Sequence, residues 1–288
     1  MLNASTPSTS RTCNICDSQS FELQYKKSGY SILKCLSCGL KFTEPIPDNA
    51  SLKSIYGQDY FQGLMYRNYQ DQIEQRTPDY LKWIRWIVQK SGIQNGNWLD
   101  IGCATGGFMK VAEQSGWKVS GVDFSEYCIE IAQQAGLTAV AGTANSIPDN
   151  WGEFDIISMW DTIEHLTNPL LDIQTSSARL KPNGWLVLST GDIGSLVARV
   201  LRKHWWLMLP PVHLYFFTKE TLTEILKRAG LTPVSFRYFG RRLRIGRAAR
   251  LLTGNGSVSM ERGPSLYFNA FDIVTVLARR APEERSFS

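Results

Sequence analysis

Between Asn97 and Phe108 the chain reads Asn-Trp-Leu-Asp-Ile-Gly-Cys-Ala-Thr-Gly-Gly-Phe, and Val119-Ser-Gly-Val-Asp123 follows. No other stretch restricts the fold as much. An apolar strand runs into Asp100, turns over Gly102, Gly106 and Gly107, and opens a helix; a second strand closes on Asp123. Residues without a side chain let a backbone come close to a ligand, and a helix start offers N–H groups with no partner in the helix. An acid closing the second strand suits a ribose diol, because a carboxylate can accept from two hydroxyls at once. The stretch predicts a cradle for a nucleoside.

Alternation of strands and helices continues from there. The pattern predicts strands at Trp98–Ile101, Lys118–Asp123, Leu137–Ala141, Phe154–Trp160, Trp185–Thr190, Thr232–Phe239 and Phe268–Leu277. It predicts helices at Gly106–Ser115, at Glu126–Gln134 after a Ser125 cap, at Pro169–Leu180 and at Lys219–Ala229 after a Thr218 cap, with Gly230 as the stop. A further helix is expected over Tyr80–Lys90, where Leu81, Ile84, Trp86, Ile87 and Val88 recur at helical spacing. Repeated βα units imply an α/β fold: a doubly wound parallel sheet with helices on both faces, binding its ligand beyond the carboxyl ends of the strands.

Ahead of this lie Cys13-Asn-Ile-Cys16 and Cys35-Leu-Ser-Cys38-Gly39, with two short strands expected at Phe21–Tyr25 and Tyr30–Lys34 around a Gly29 turn. Two Cys-x2-Cys knuckles can bring four thiolates to one tetrahedral Zn²⁺, leaving no position for a water nucleophile. That is a structural zinc ribbon with Cys13, Cys16, Cys35 and Cys38 as ligands; the plainer alternative is four free thiols. Cys103 and Cys128 lack paired spacing and are expected to be reduced and free. The expected organisation is a disordered lead over 1–12, the ribbon over 13–44, an aromatic connector and helix over 45–95, the α/β domain over 96–280 and a tail over 281–288. In the connector, Phe42, Tyr56, Tyr60, Phe61, Tyr66 and Tyr69 are either packing between ribbon and domain or a lid.

The formal charge of +5 over 288 residues is local in origin. Arg237, Arg241, Arg242, Arg244, Arg247 and Arg250 fall in one window without an acid, and setting them aside leaves the rest close to neutral. Nucleic-acid binding by overall charge is therefore disfavoured. Charges interrupt every apolar run well before the ~18 residues of a membrane span, and the polar amino-terminal segment has no signal core. A cytoplasmic protein is expected.

A dinucleotide fingerprint would place glycines at the first, third and sixth positions of the turn. Here 102 and 107 are Gly but 104 is Ala. A carboxylate at Asp100 would repel a diphosphate and attract an ammonium. The turn thus favours a phosphate-free, cationic nucleoside.

Asp100-Ile-Gly102-Cys-Ala-Thr-Gly106, Val122-Asp123-Phe124-Ser125, Phe154-Asp-Ile-Ile-Ser-Met-Trp-Asp-Thr-Ile-Glu-His165 and Leu180-Lys-Pro-Asn-Gly184 occur in this order. Together they resemble the motifs of class I S-adenosylmethionine-dependent methyltransferases, nearest to ubiquinone-type O-methyltransferases and to bacterial ribbon-bearing enzymes of sugar and surface-glycan pathways. The resemblance implies a Rossmann-like seven-stranded sheet with its last strand antiparallel, and S-adenosylmethionine as cofactor. It implies ribose and adenine contacts at Asp123 and Phe124, passage of the methionine part over Asp100, Gly102, Cys103, Ala104 and Gly106, and further contacts at Trp160 and Asp161. Thr143 and Ala144 stand where such enzymes place an acidic adenine contact, and neither is acidic.

Methyl transfer needs in-line alignment and often a base. The three histidines are His165, His204 and His213. His165 ends the fourth-strand run and could take a hydroxyl proton, oriented by Asp161 or Glu164, or could simply hold the loop. His213 is an equal candidate for base or acceptor contact, and His204 looks peripheral. The residues after strand four lack the Asn/Asp-Pro-Pro-aromatic run that the resemblance associates with amine methylation of bases, so a small-molecule or glycan-linked acceptor, methylated at oxygen or sugar carbon, is expected. An RNA methyltransferase using the ribbon and arginines is the first alternative, and a non-catalytic cofactor-binding assembly partner the second. Apolar and basic residues mix over 193–214, consistent with a glycan-phosphate mouth, peripheral membrane contact or a solvated helix face. The oligomeric state is not legible.

Overall fold

In a computed structural model the described residues are 11–48, 51, 69–244 and 265–281, with side chains at 69–75, 243, 244 and 265 outside the description. Most of the expected lead and tail, Tyr56, Tyr60, Phe61 and Tyr66 of the connector, and Arg247 and Arg250 lie outside the described residues.

The central sheet has seven strands: β4 (Asn97–Ile101), β5 (Lys118–Asp123), β6 (Thr138–Ala141), β7 (Phe154–Trp160), β8 (Leu180–Gly191), β10 (Leu231–Tyr238) and β13 (Ile273–Arg280). Their order is β10-β13-β8-β7-β4-β5-β6. β4, β5, β6, β7 and β8 pair in parallel, whereas β13 runs antiparallel to both β8 and β10. This is the Rossmann-like α/β sheet with an antiparallel last strand. Its central strands are buried on both faces, which is why β4 and β7 read as continuous apolar runs instead of alternating ones.

Helices α1 (Tyr69–Ser91), α2 (Gly107–Gln114), α3 (Glu126–Gln134), α4 (Pro169–Ala178), α5 (Leu196–Leu201) and α6 (Lys219–Arg228) complete the frame. Ser125 caps α3 by accepting from the Cys128 N–H, and Thr218 with Thr221 forms a capping box on α6. α1 begins eleven residues before the expected Tyr80 and holds Pro78 inside it. No helix among the described residues is long and apolar enough to cross a membrane.

The amino-terminal unit is a hairpin of β1 (Phe21–Lys27) and β2 (Tyr30–Cys35), extended by β3 (Lys41–Glu44). Its turn uses Ser28 and Gly29, both at positive φ, as a tight hairpin requires. β9 (Tyr215–Phe216), from the α/β domain, adds to it as a fourth antiparallel strand, in the order β1-β2-β3-β9. Cys13, Ile15, Cys35, Leu40 and Phe42 share one core with Leu99, Ile157, Met159, Leu214 and Phe217. The ribbon is therefore packed into the larger domain. A separate two-stranded sheet, β11 (Arg241–Arg244) with β12 (Ser265–Phe268), lies against α1, where the Arg242 N–H donates to Asp79 Oδ2 at 3.1 Å.

Candidate active site

The turn after β4 is fixed by its own backbone. The N–H groups of Gly102 and Cys103 both donate to the Val122 carbonyl on β5, at 2.7 and 3.2 Å. Gly102, Ala104 and Gly106 all have positive φ, at 76°, 47° and 80°. Gly102 backs onto Thr162, whose Oγ1 donates to the Ile101 and Trp160 carbonyls. A methyl group at 102 would overlap that hydroxyl. We expect Gly102→Ala to cost about 1–3 kcal/mol for the left-handed backbone alone, read as a lower denaturation midpoint at unchanged m.

Asp123 is aimed into this turn. Its Oδ2 accepts from the Ala104 N–H at 2.8 Å and its Oδ1 from the Ser125 N–H at 2.9 Å, so the carboxylate is oriented before any ligand arrives. Phe124 beside it presents an exposed ring. Cys103 is buried and free, as is Cys128. Thr143 caps the short turn Ala144–Ser146, and Ala144 is buried beneath it.

Asp100 is deeply buried; its Oδ1 accepts from Ser158 Oγ at 2.6 Å, and that oxygen accepts from Trp98 Nε1 at 2.8 Å. Burial pushes its carboxyl up to about 8, against the pull of the Ser158 bond. It holds its proton at neutral pH unless a cation sits close. A ligand ammonium would restore the charge.

Asp161 follows β7 at φ 52°. Its Oδ1 accepts from Ser189 Oγ at 3.0 Å and its Oδ2 from Arg241 Nη2 at 2.6 Å. Burial opposes ionisation here, but Arg241 and Arg76 outweigh it and the carboxyl is held below its ordinary range. The groups fixing Asp161 are thus Ser189 and Arg241. Trp160 stacks on Trp83 of α1, with centroids 4.6 Å apart, and meets Phe108 at 5.1 Å.

His165 and His213, 48 residues apart in sequence, meet edge to face with centroids at 4.8 Å and planes at 81°. His165 Nδ1–H donates to the Val212 carbonyl at 2.8 Å and His213 Nδ1–H to the Leu207 carbonyl at 2.7 Å. A carbonyl can only accept, so both rings, when neutral, carry their basic lone pair on Nε2. Burial lowers both; His213 is pushed down to about 3, with His165 adding to the effect. The orienting group at Nδ1 of His165 is therefore the Val212 carbonyl and neither Asp161 nor Glu164. Glu164 is buried beside the pair and pushed up to about 8 by burial and by Asp161. Glu164, Thr190, Trp205, Leu207, Tyr215 and Phe216 close tightly around His213 here. The roomier cavity, about 220 Å³ beside Asp155, Lys181 and Arg279, lies at the opposite, amino-terminal edge of the sheet and holds no candidate base.

Four buried polar atoms on these groups have no hydrogen-bond partner among the described residues: Trp83 Nε1, Thr105 Oγ1, Trp160 Nε1 and Glu164 Oε2. Buried polar atoms are nearly always satisfied, so these four retain bonding capacity for a ligand. Thr105 was not anticipated from sequence; its place inside the glycine turn was the available signal.

Some distance along the same core, the four ribbon sulfurs lie within 4.8 Å of one another, with Cys13–Cys38 and Cys16–Cys35 each at 3.5 Å and no disulfide. Tetrahedral Zn–S bonds of ~2.3 Å set sulfurs about 3.8 Å apart. The Cys38 bond holds Cys13 down to about 5, while the same bond pushes Cys38 up. The set fits a metal.

Residues 71–235 match a family model described as a methyltransferase domain. A ubiquinone biosynthesis O-methyltransferase from Bordetella avium is 28% identical over 168 residues, spanning 54% of this chain and 70% of its own. Its namesake from Thiobacillus denitrificans is 27% identical over 164 residues, spanning 51% and 69%. Among solved structures, magnesium protoporphyrin IX methyltransferase from Synechocystis PCC 6803 with bound SAH superposes with a TM-score of 0.53 at 18% identity, over 81% of this chain and all of that one. An S-adenosylmethionine-dependent methyltransferase from Clostridium acetobutylicum gives 0.51 at 14%, over 74% and 98%.

Proposed function

Because the chain belongs to the methyltransferase-domain family and is an S-adenosylmethionine-dependent methyltransferase, we propose that it methylates an oxygen of a small-molecule or glycan-linked acceptor and carries a structural zinc in its ribbon. When bound, S-adenosylmethionine supplies a methyl group on a sulfonium, open to in-line displacement. The chain's part is to hold and align. Asp123 is placed to take ribose hydroxyls, Phe124 to face the adenine, and Gly102, Ala104 and Gly106 to let the backbone lie close beneath. Asp100 offers a carboxyl that ionises next to a cation.

One observation carries the oxygen assignment: the His165–His213 pair with both Nδ1–H groups anchored on carbonyls. A neutral imidazole with Nε2 as its base is what a hydroxyl proton needs. A base works best with a pKa near the working pH, and His213 is pushed down to about 3. We therefore assign proton removal to His165 and orientation of the acceptor to His213, with Trp205, Leu207 and Tyr215 walling out water. The names of the O-methyltransferase relatives support oxygen over sugar carbon. Exposed Leu196 and Val200 on α5, interleaved with exposed Arg199 and Lys203, support shallow contact with an anionic lipid surface as part of the same reading.

Trideuteromethyl-labelled S-adenosylmethionine, incubated with catechols, phenols and sugars, tests this. Label on oxygen of a hydroxylated acceptor is expected, together with about one zinc per chain by metal analysis. Label on nitrogen alone, or protein purified without metal yet fully folded, contradicts it.

A further inference from the structure

Residues 11–48 lie outside the family match, yet β3 of the ribbon reaches the histidine pair. Phe42 faces Tyr215 and Lys41 faces Phe216 in register. Beyond them, fully buried Thr43 spends both its donors on the residues just before β9. Its N–H donates to the Leu214 carbonyl at 2.8 Å, and its Oγ1 to the His213 carbonyl at 2.7 Å. The Leu214 N–H in turn donates to the Glu164 carbonyl at 2.8 Å, and Tyr215 OH to the Thr167 carbonyl at 3.1 Å.

The chain carrying His213 is thus held from two sides. The segment after β7, which carries His165, lies on one side, and the ribbon on the other. The remaining bonds of His213 stay inside its own loop: its N–H donates to the Leu209 carbonyl and its ring to the Leu207 carbonyl. Those bonds shape the loop but do not locate it in the molecule. Behind Thr43, Cys13 and Cys35 sit in the same core as Leu214, Tyr215 and Phe217, so the metal knuckles and the His213 segment share one packed unit.

We propose that Thr43 is a positioning residue for His213, and that the metal-bound ribbon is a structural part of the catalytic centre instead of a separate binding module. The proposal rests on the reading of His213 as the acceptor-orienting group. Losing one donor to a buried carbonyl leaves that carbonyl unpaired, a loss large enough to move a side chain off its productive position.

Thr43→Val keeps the shape and removes only the hydroxyl; Thr43→Ser keeps the hydroxyl. With 3,4-dihydroxybenzoate as the acceptor probe, Thr43→Val is expected to lower kcat about tenfold, with SAH affinity unchanged by calorimetry. Thr43→Ser should restore kcat to about twofold of the parent value. In ¹H–¹⁵N spectra of the SAH complex, the protected His213 ring N–H, assigned with His213→Gln, should weaken in Thr43→Val and persist in Thr43→Ser. If Thr43→Val does not fold, stripping the metal is the second route: SAH binding should survive, while the His213 ring signal and turnover fall together and return on adding zinc. An unaltered ring signal in Thr43→Val, equal losses in the Val and Ser variants, or full turnover after verified metal removal would overturn the proposal. Undiminished kcat in His213→Gln would instead overturn the reading of His213 on which it rests.

Discussion

Replacing both His165 and His213 by Gln is expected to lower kcat about a thousandfold while SAH affinity stays within about threefold, because positioned proton transfer contributes ~10²–10⁴ and the cofactor turn is built from other residues. The single variants should differ. His165→Gln should account for most of the loss, since His213 is pushed too low to serve as a base at neutral pH. The effects should also be strongly non-additive, as the rings touch at 4.8 Å. The pH dependence supplies an independent check. An ordinary histidine titrates near ~6.5, and burial lowers both rings below that. The basic form therefore persists as pH falls through the ordinary histidine range, and the acid limb of kcat should lie below it. An acid limb at the ordinary value, or a double variant with near-parental kcat measured by SAH release, would contradict the assignment of these histidines.

Much of the sheet was legible before the structure because its strands are buried on both faces and punctuated by glycines. Asn97–Ile101, Lys118–Asp123 and Phe154–Trp160 lie where the apolar runs place them. The capping residues Ser125 and Thr218 were readable from local chemistry alone. Other features depend on contacts that no local pattern carries. β3 and β9 are four and two residues long and pair across the whole length between ribbon and domain. The last strand begins at Ile273 instead of Phe268, because Asn269 Oδ1 accepts from the Phe271 N–H and bends the chain, with Phe271 at φ 54°. Apolar spacing marked the helix only from Tyr80, whereas it begins at Tyr69 and runs through Pro78.

The site divides the same way. Asp123 and the glycine turn are one local motif, so sequence order reveals both. The meeting of His165 with His213 is a tertiary fact, and so is the choice of Arg241 over a histidine as the partner of Asp161. Arg241 was visible only as one of a basic cluster. Thr43 carried no signal at all, since a threonine in a short strand is ordinary until its hydroxyl is seen on the His213 carbonyl.

The second large effect concerns the cofactor. Asp123 accepts from the Ala104 N–H in the glycine turn and from the Ser125 N–H after β5, and each carboxylate oxygen keeps a second lone pair for a ribose hydroxyl. Bonds to a charged acceptor are worth about 1.5–3 kcal/mol each, so losing those to a ribose diol should weaken binding about a hundredfold or more. Asp123→Asn, which keeps one acceptor oxygen, should fall between Asp123→Ala and the parent. Thermal melting of the ligand-free proteins separates this from unfolding: a modest drop is expected from the lost turn anchors, far smaller than the change in affinity. The deciding measurement is calorimetric titration of SAH into the parent protein and into Asp123→Ala. One-to-one binding at micromolar affinity by the parent and a hundredfold loss in the variant are the predicted results. No binding by the parent, or equal affinity in both, would contradict the placement of S-adenosylmethionine in the glycine turn between β4 and β5.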